Sequence, residues 1–283
     1  MTARRATAAA ALVFAPVHAH AWDAGATGAD GVFAPTESVA VVLPDDGTLD
    51  FESVRVPAGV TVTFQRNARN SPVTILVAGD AQIDGVIDVN AEIWGPGYIG
   101  RADVFARGTS GGPGGSDGAP LFASGGGPGY GPGAGGGSDA ACTPGSGGGA
   151  GGAAAASTGC PDCGGARGAV AARYGSPTTW PLHGGSGSGA YPEGGLGGAG
   201  GGGVITLAVE GTLRFGVGAA IQALPARAYL AAGGGGAIRI VADTIEGSAL
   251  LSADWGDCAA SCDVGCGGRG VVRIEAFTLS DVD

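Results

Sequence analysis

The most direct chemistry in this 283-residue chain belongs to six cysteines: Cys142, Cys160 and Cys163 near the centre, and Cys258, Cys262 and Cys266 near the end. An even count allows three disulfides in 15 connectivities, between which spacing alone does not choose. The rival is a metal site. Cys160-Pro-Asp-Cys163 has zinc-knuckle spacing, and Cys258, Cys262 and Cys266 recur every four residues. Structural zinc sites draw on paired CxxC units or added histidines, and only His183 lies beyond the first 21 residues. Disulfides are the preferred reading, and they imply an oxidising compartment.

Other motifs match by letter and lack context. Gly108–Gly112 (GTSGG) and Gly114–Gly118 (GGSDG) both fit GxSxG. A nucleophile elbow must follow a strand and open a helix, and neither does so in a glycine-saturated tract. A Walker loop needs a lysine; the chain has none, all 14 basic residues being arginine. Glycine-rich calcium repeats need a recurring aspartate, and Gly114–Phe122 (GGSDGAPLF) is a single imperfect echo. No cofactor is expected. Calcium is the one ion the scattered carboxylates Asp45, Asp46, Asp84, Asp88, Asp254 and Asp257 could hold, with a solvated acidic face the blander reading.

Carbohydrate chemistry is the remaining alternative. Glycoside cleavage needs paired carboxylates, and Asp84 and Asp88 in QIDGVIDV, with Arg239 or Arg273, are the candidates. Both aspartates flank an expected turn, where Asp is a common structural choice. Trp94, Tyr98, Trp180 and Tyr191 could stack on sugars; as anchors tying the glycine tract to the strands they need no ligand.

The elements that would position these groups follow from composition and period. Arg4 and Arg5, the apolar run Thr7–Val17 and the small-residue site Ala19-His20-Ala21 form an export signal over 1–21. Its apolar core is shorter than the roughly 20 residues a bilayer span needs, and no later segment suffices. Losing Arg4 and Arg5 takes the net charge from −11 to −13. So acidic a surface argues against nucleic-acid binding, which rests on neutralising phosphates.

Four segments share one pattern: Val73–Asn90, Val204–Ala223, Ala237–Ala253 and the shorter Val271–Leu279. Each opens with alternating strand residues. Three then carry an apolar residue shortly before a glycine (Gly85, Gly216, Gly247) and a second short run. The last three openings lie 33 and 34 residues apart. Period two puts Ile205, Leu207 and Val209, then Ile238, Ile240 and Ala242, then Val272, Ile274 and Ala276 on one inward face. Val73–Ala78 is apolar on both faces and is expected to be buried on both. Leu49–Gln65 offers two more strands around Pro57-Ala58-Gly59. Repeating strand units that cannot bury their faces alone are the mark of a solenoid.

Between these segments Trp94–Gly203 holds 41 of the 61 glycines, without Gly-X-Y spacing, so collagen is excluded. A disordered loop is weighed against polyglycine-II packing. The cysteines and the apolar residues Tyr98, Phe105, Leu121, Phe122, Tyr130, Tyr174, Trp180 and Tyr191 tip the reading toward order.

Pro57–Val89 (PAGVTVTFQRNARNSPVTILVAGDAQIDGVIDV), the tract Gly95–Gly203, Gly233–Ala253 (GGGGAIRIVADTIEGSALLSA) and Gly270–Ala276 (GVVRIEA), in that order, resemble the pieces of a family of exported glycine-rich bacterial surface proteins. The resemblance covers nearly all of the chain after the signal. It implies location and architecture, and it supplies no catalytic residues. The strand repeats are also similar, more weakly, to those of parallel β-helix adhesins.

The reading is therefore an all-β protein. A short right-handed parallel β-helix-like stack spans 22–93 and 204–283, and a large glycine-rich, polyglycine-II insertion spans 94–203. The expected role is non-enzymatic, structural or adhesive, in the periplasm, at the cell surface or outside the cell. The expected partners are surface or matrix polysaccharide, protein, or further copies of the chain, with no nucleic acid and no membrane span once the signal is gone. The alternative is a carbohydrate-active (lyase- or hydrolase-like) or carbohydrate-binding β-helix protein.

Overall fold

The computed structural model describes residues 22–92, 107–122, 125–137, 182–190, 197–226, 232–253 and 267–280. Among them the regular secondary structure is almost entirely strand, and the two larger sheets are parallel throughout. The eight-stranded sheet runs β1 (Val32–Phe33), β4 (Ser53–Val56), β7 (Ala81–Ile83), β11 (Val204–Phe215), β13 (Ala237–Gly247), β15 (Val271–Ser280). Two further strands, β3 (Thr48–Phe51) and β6 (Val73–Val77), join it through the first half of β11. The five-stranded sheet runs β14 (Leu250–Ser252), β12 (Ala220–Gln222), β8 (Val86–Asp88), β5 (Thr61–Gln65), β2 (Val39–Val42). Each strand of the smaller sheet follows in sequence a strand of the larger one, so the chain passes back and forth between them.

Turn chemistry sets these passages. Gly59 has φ +79°, and Val60 N–H donates to the Pro57 carbonyl at 3.1 Å, as a turn with a left-handed third residue requires. The turn carries the chain from β4 to β5. Gly218 repeats the turn between β11 and β12, with φ +89° and Ala219 N–H donating to the Gly216 carbonyl at 3.1 Å.

Register confirms the sequence period. Val204, Ala237 and Val271, the three openings, are direct neighbours across β11, β13 and β15. Ile205, Leu207, Val209, Ile238, Ile240 and Ala242 are all buried in the main core. Each wholly buried Ile, Leu or Val contributes about 1.5–3 kcal/mol, so these rows hold the two sheets together. β6 departs by one residue: Val73 pairs with Ile205, not Val204.

Two expectations about faces are corrected. Val73–Val77 alternates: Val73, Ile75 and Val77 are buried, whereas Thr74 and Leu76 are half-buried. The strand buried on both faces is β11, from Val204 to Glu210. Leu182 of the glycine-rich region packs on Val204, and the N-terminal segment donates Ala24 and Ala26 N–H to the Glu210 carboxylate. β15 lies in the expected register, yet Val272 and Ile274 are exposed.

A bulge crosses the larger sheet. β11 shifts register at Glu210–Gly211, where the preceding chain breaks into β6 and β7 and, earlier, β3 and β4. Asp80 mends the ladder by accepting Thr212 N–H at 2.8 Å. The extra residue bends the strand and increases its twist, as bulges do.

The described glycine-rich segments form no long strand, although Leu121–Phe122 (β9) pairs antiparallel with Gly125–Gly126 (β10). They bond to one another with a three-residue period. Thr109 and Gly112 N–H donate to the carbonyls of Gly198 and Gly201; Ser116 and Ala119 to Gly185 and Ser188; Gly185 and Ser188 to Gly202 and Ala199. Successive amides of one segment therefore reach different neighbours: Gly201 donates to Ser116, Gly202 to Gly234 and Gly203 to Val89. Such spacing leaves no room for side chains. A methyl group on Gly201 would sit 2.0 Å from the Gly185 carbonyl oxygen, and one on Gly118 2.0 Å from that of Gly198.

Candidate functional site

Residues that could form a site lie where the glycine-rich segments and the N-terminal segment meet the sheets. Asn70 is the only described non-glycine residue with positive φ, +52°. Asparagine tolerates that conformation better than other side chains. Its carboxamide accepts Gly114 N–H at 3.0 Å and donates to the Gly115 carbonyl at 2.7 Å. Asn67 shapes the preceding loop by accepting the N–H groups of Arg69 and Ser71. Beside this clamp Arg66 pairs with Asp117, whose carboxylate also accepts Gly111 N–H. Glu92 pairs with Arg107 at 2.8 Å and accepts Ser110 N–H. Burial pushes the Glu92 carboxyl up, but Arg107 and Ser110 outweigh it and hold the pKa below the ordinary value.

Buried hydroxyls complete the glycine packing. Thr109, Ser186 and Ser188 are buried, and their oxygens accept the N–H groups of Gly200, Gly133 and Ala199. Such residues satisfy amides that the three-residue pattern leaves without a carbonyl, as buried donors require.

The N-terminal segment is held by carboxylates. Asp50 accepts the Thr27 hydroxyl and the N–H groups of Thr27 and Gly28. The Thr27 hydroxyl, then the backbone amides, hold its pKa below the ordinary carboxylate value. The bulge column carries Glu52, Asp80, Glu210 and Asp243, a row of acids that strand period alone does not reveal.

The carbohydrate candidates are distributed, not gathered. Asp84 lies at the turn between the sheets, within reach of the Gln82 carboxamide at 3.0 Å. Asp88 stands on β8 and accepts Asn90 N–H at 2.7 Å. Burial raises its pKa, and Asn90 offsets part of the shift. Arg239 and Arg273 are neighbours in the larger sheet and converge on Glu275, at 2.7 and 3.1 Å. Both arginines, the first more strongly, hold the Glu275 carboxyl below its ordinary value. Each of these polar groups thus has a close structural partner within its own part of the fold.

Among the described residues no three His, Cys, Asp or Glu side chains gather as a metal site would require. Cys142, Cys160, Cys163, Cys258, Cys262, Cys266, Trp94, Tyr98, Trp180, Tyr191, Asp254 and Asp257 lie outside the described residues, as do residues 1–21, where an export signal is expected. Tyr130 is 54% exposed, and its backbone joins the glycine packing through Asp117 and Gly187. No described helix is long and apolar enough to cross a membrane. No protein-family model, curated protein or solved structure matches the chain.

Chemically, this arrangement joins backbone to backbone. Gly198 and Gly200–Gly203 are buried, and their amides are bonded within the chain. Those amides stiffen the protein; they do not face a partner.

Proposed function

We propose that this chain is a non-enzymatic, exported structural protein of the bacterial surface or extracellular matrix, with adhesion carried by surfaces other than the buried glycines. In this reading the parallel strands are a short β-helix, and the glycine-rich segments form a polyglycine-II bundle fused along it. Two parallel sheets threaded alternately by one chain support the first part. The three-residue hydrogen-bond period supports the second.

The observation that carries the functional reading is the interlocking of the glycine backbone with the strands. Gly203, Gly236 and Gly270 stand side by side immediately before β11, β13 and β15, where Ala237 N–H donates to Gly203 and Val271 N–H to Gly236. The glycine packing and the strand ladders are one continuous hydrogen-bonded body. A body of that kind resists deformation, which is the property a matrix or surface component needs. The Arg4-Arg5 signal pattern is consistent with that location.

The test is to express the full chain in a bacterial host, recover it outside the cytoplasm and present it with a panel of surface polysaccharides. Expected are an N-terminus at Trp22 and adsorption without new reducing or unsaturated ends. Time-dependent cleavage abolished by Asp84→Asn or Asp88→Asn would replace this reading with the carbohydrate-active alternative.

A further inference from the structure

The two ends of the strand stack differ. At the N-terminal end the core is closed. Residues 28–31 cross β3 in the opposite direction through an Ala29–Phe51 bridge, and Asp30 N–H donates to the Asp50 carbonyl at 2.7 Å. Asp30 in turn accepts Asp50 N–H, Phe33 stacks on Phe51 with ring centroids 4.9 Å apart, and Leu43 is buried. At the other end no described residue continues the core rows. Ile205 and Ile238 are wholly buried, and their neighbour Val272 is 41% exposed; Leu207 and Ile240 are wholly buried, and Ile274 is 49% exposed. Leu213 and Ile245 are buried, and Leu279 is 61% exposed. β15 pairs only with β13 among the described residues, and no described strand of the smaller sheet stands beyond β14 to face it.

We propose that β15 is a dimerisation edge, covered by β15 of a second copy running antiparallel across a two-fold axis at Ile274. The sequence of the strand is self-complementary about that residue. Centring on Ile274 sets Arg273 opposite Glu275 of the second copy, twice, and Val272 opposite Ala276, with Ile274 against itself. Opposite charges and apolar pairs directly across antiparallel strands are the favoured pairings. A strand of ten residues ending a sheet with its inward face uncovered is also the kind of edge that recruits another strand.

Charge selects the same place. A chain of net charge −11 repels its own copies over most of its surface. On the described part of β15 one arginine and one glutamate balance, with Arg239 beside them. A two-fold axis perpendicular to the sheet keeps the inward faces of both copies on one side, so their cores join. Because the two-fold pairing uses β15 of both copies, the assembly stops at two copies and does not grow into a filament. This inference is independent of the exported role.

The experiment is sedimentation velocity on the full chain from micromolar to submillimolar concentration. The result expected is a monomer–dimer equilibrium without larger species; a monomer throughout, or open-ended polymers, would overturn the proposal. Ile274→Glu should weaken the dimer by at least about tenfold while leaving the thermal midpoint of the monomer in place, since the side chain is half exposed. Arg273→Glu should also weaken it, and Arg273→Glu with Glu275→Arg should restore it. A photoreactive side chain at 274 reports the register without depending on any destabilising variant. A cross-link to β15 of the second copy is expected, and one to any other segment would reject this edge.

Discussion

Alanine at Gly201 is the sharpest perturbation of the glycine packing. Its φ lies outside the left-handed region, so the change tests space and not backbone conformation. The new methyl carbon would lie 2.0 Å from the Gly185 carbonyl oxygen, where ordinary contact begins at 3.4 Å. The two segments must separate by roughly an ångström. They are held by Gly185 N–H to Gly202 at 2.9 Å and Ser188 N–H to Ala199 at 2.8 Å. Overpacking costs about 1–3 kcal/mol, and breaking two such bonds adds about 1 kcal/mol each. The expected loss is about 3–5 kcal/mol, a large share of the roughly 5–15 kcal/mol that holds a domain folded. Gly218 is the control: φ is +89° and nothing lies within 4 Å. Alanine there meets only the left-handed penalty of about 1–2 kcal/mol. Urea unfolding with unchanged m-value measures both. A Gly201→Ala protein no less stable than Gly218→Ala would refute the packing argument.

Asn70→Gly keeps the backbone conformation and removes both clamp bonds, so it should cost about 1–3 kcal/mol and speed amide exchange over 109–119; unchanged exchange there would show that the clamp does not hold the segment. Acid should release the N-terminal segment. The folded pKa of Asp50 is depressed, so its stabilisation is present above the unfolded carboxylate value of about 3.9 and is lost as pH falls through the folded value. Asp50→Asn should remove that acid dependence of proteolytic cutting near Thr27, and an unaltered pH profile would contradict the assignment. Asp88 has the opposite sign. Its raised folded pKa means stability falls as pH rises from the unfolded to the folded value. Asp88→Asn, which keeps an acceptor for Asn90 N–H, should therefore be neutral or stabilising at pH 7 in thermal melts, and clear destabilisation would argue for a buried charge partner.

Strand period, the Pro57–Gly59 turn and the 33- and 34-residue spacing were legible in the sequence because each is a local pattern that pairing preserves. Ile238 and Ile240 point inward for the same reason that Arg239 points out. The face that covers β11 was not legible, since Leu182 and Ala24 reach it from distant parts of the chain. Nor was the exposure of Ile274, because register fixes a side chain's face and only the next layer decides whether that face is covered. Glycine-rich packing has no one-dimensional signature either. Its hydrogen bonds join segments such as 109–119, 185–190 and 197–203, and their three-residue period emerges only when those segments lie together. Asp84 and Asp88 looked paired in sequence because four residues separate them. A turn intervenes, and each carboxylate has its own local partner.

Backbone hydrogen bonds join the described glycine-rich segments and the strands into one body. Hydrogen exchange of the full chain, followed by mass spectrometry, tests it most directly. Peptides covering 109–119, 185–190 and 197–203 should be protected to the same order as those covering Val204–Phe215 and should lose protection together with them in rising denaturant. Exchange complete within seconds across 109–119, 185–190 and 197–203, with the strands still protected, would contradict it.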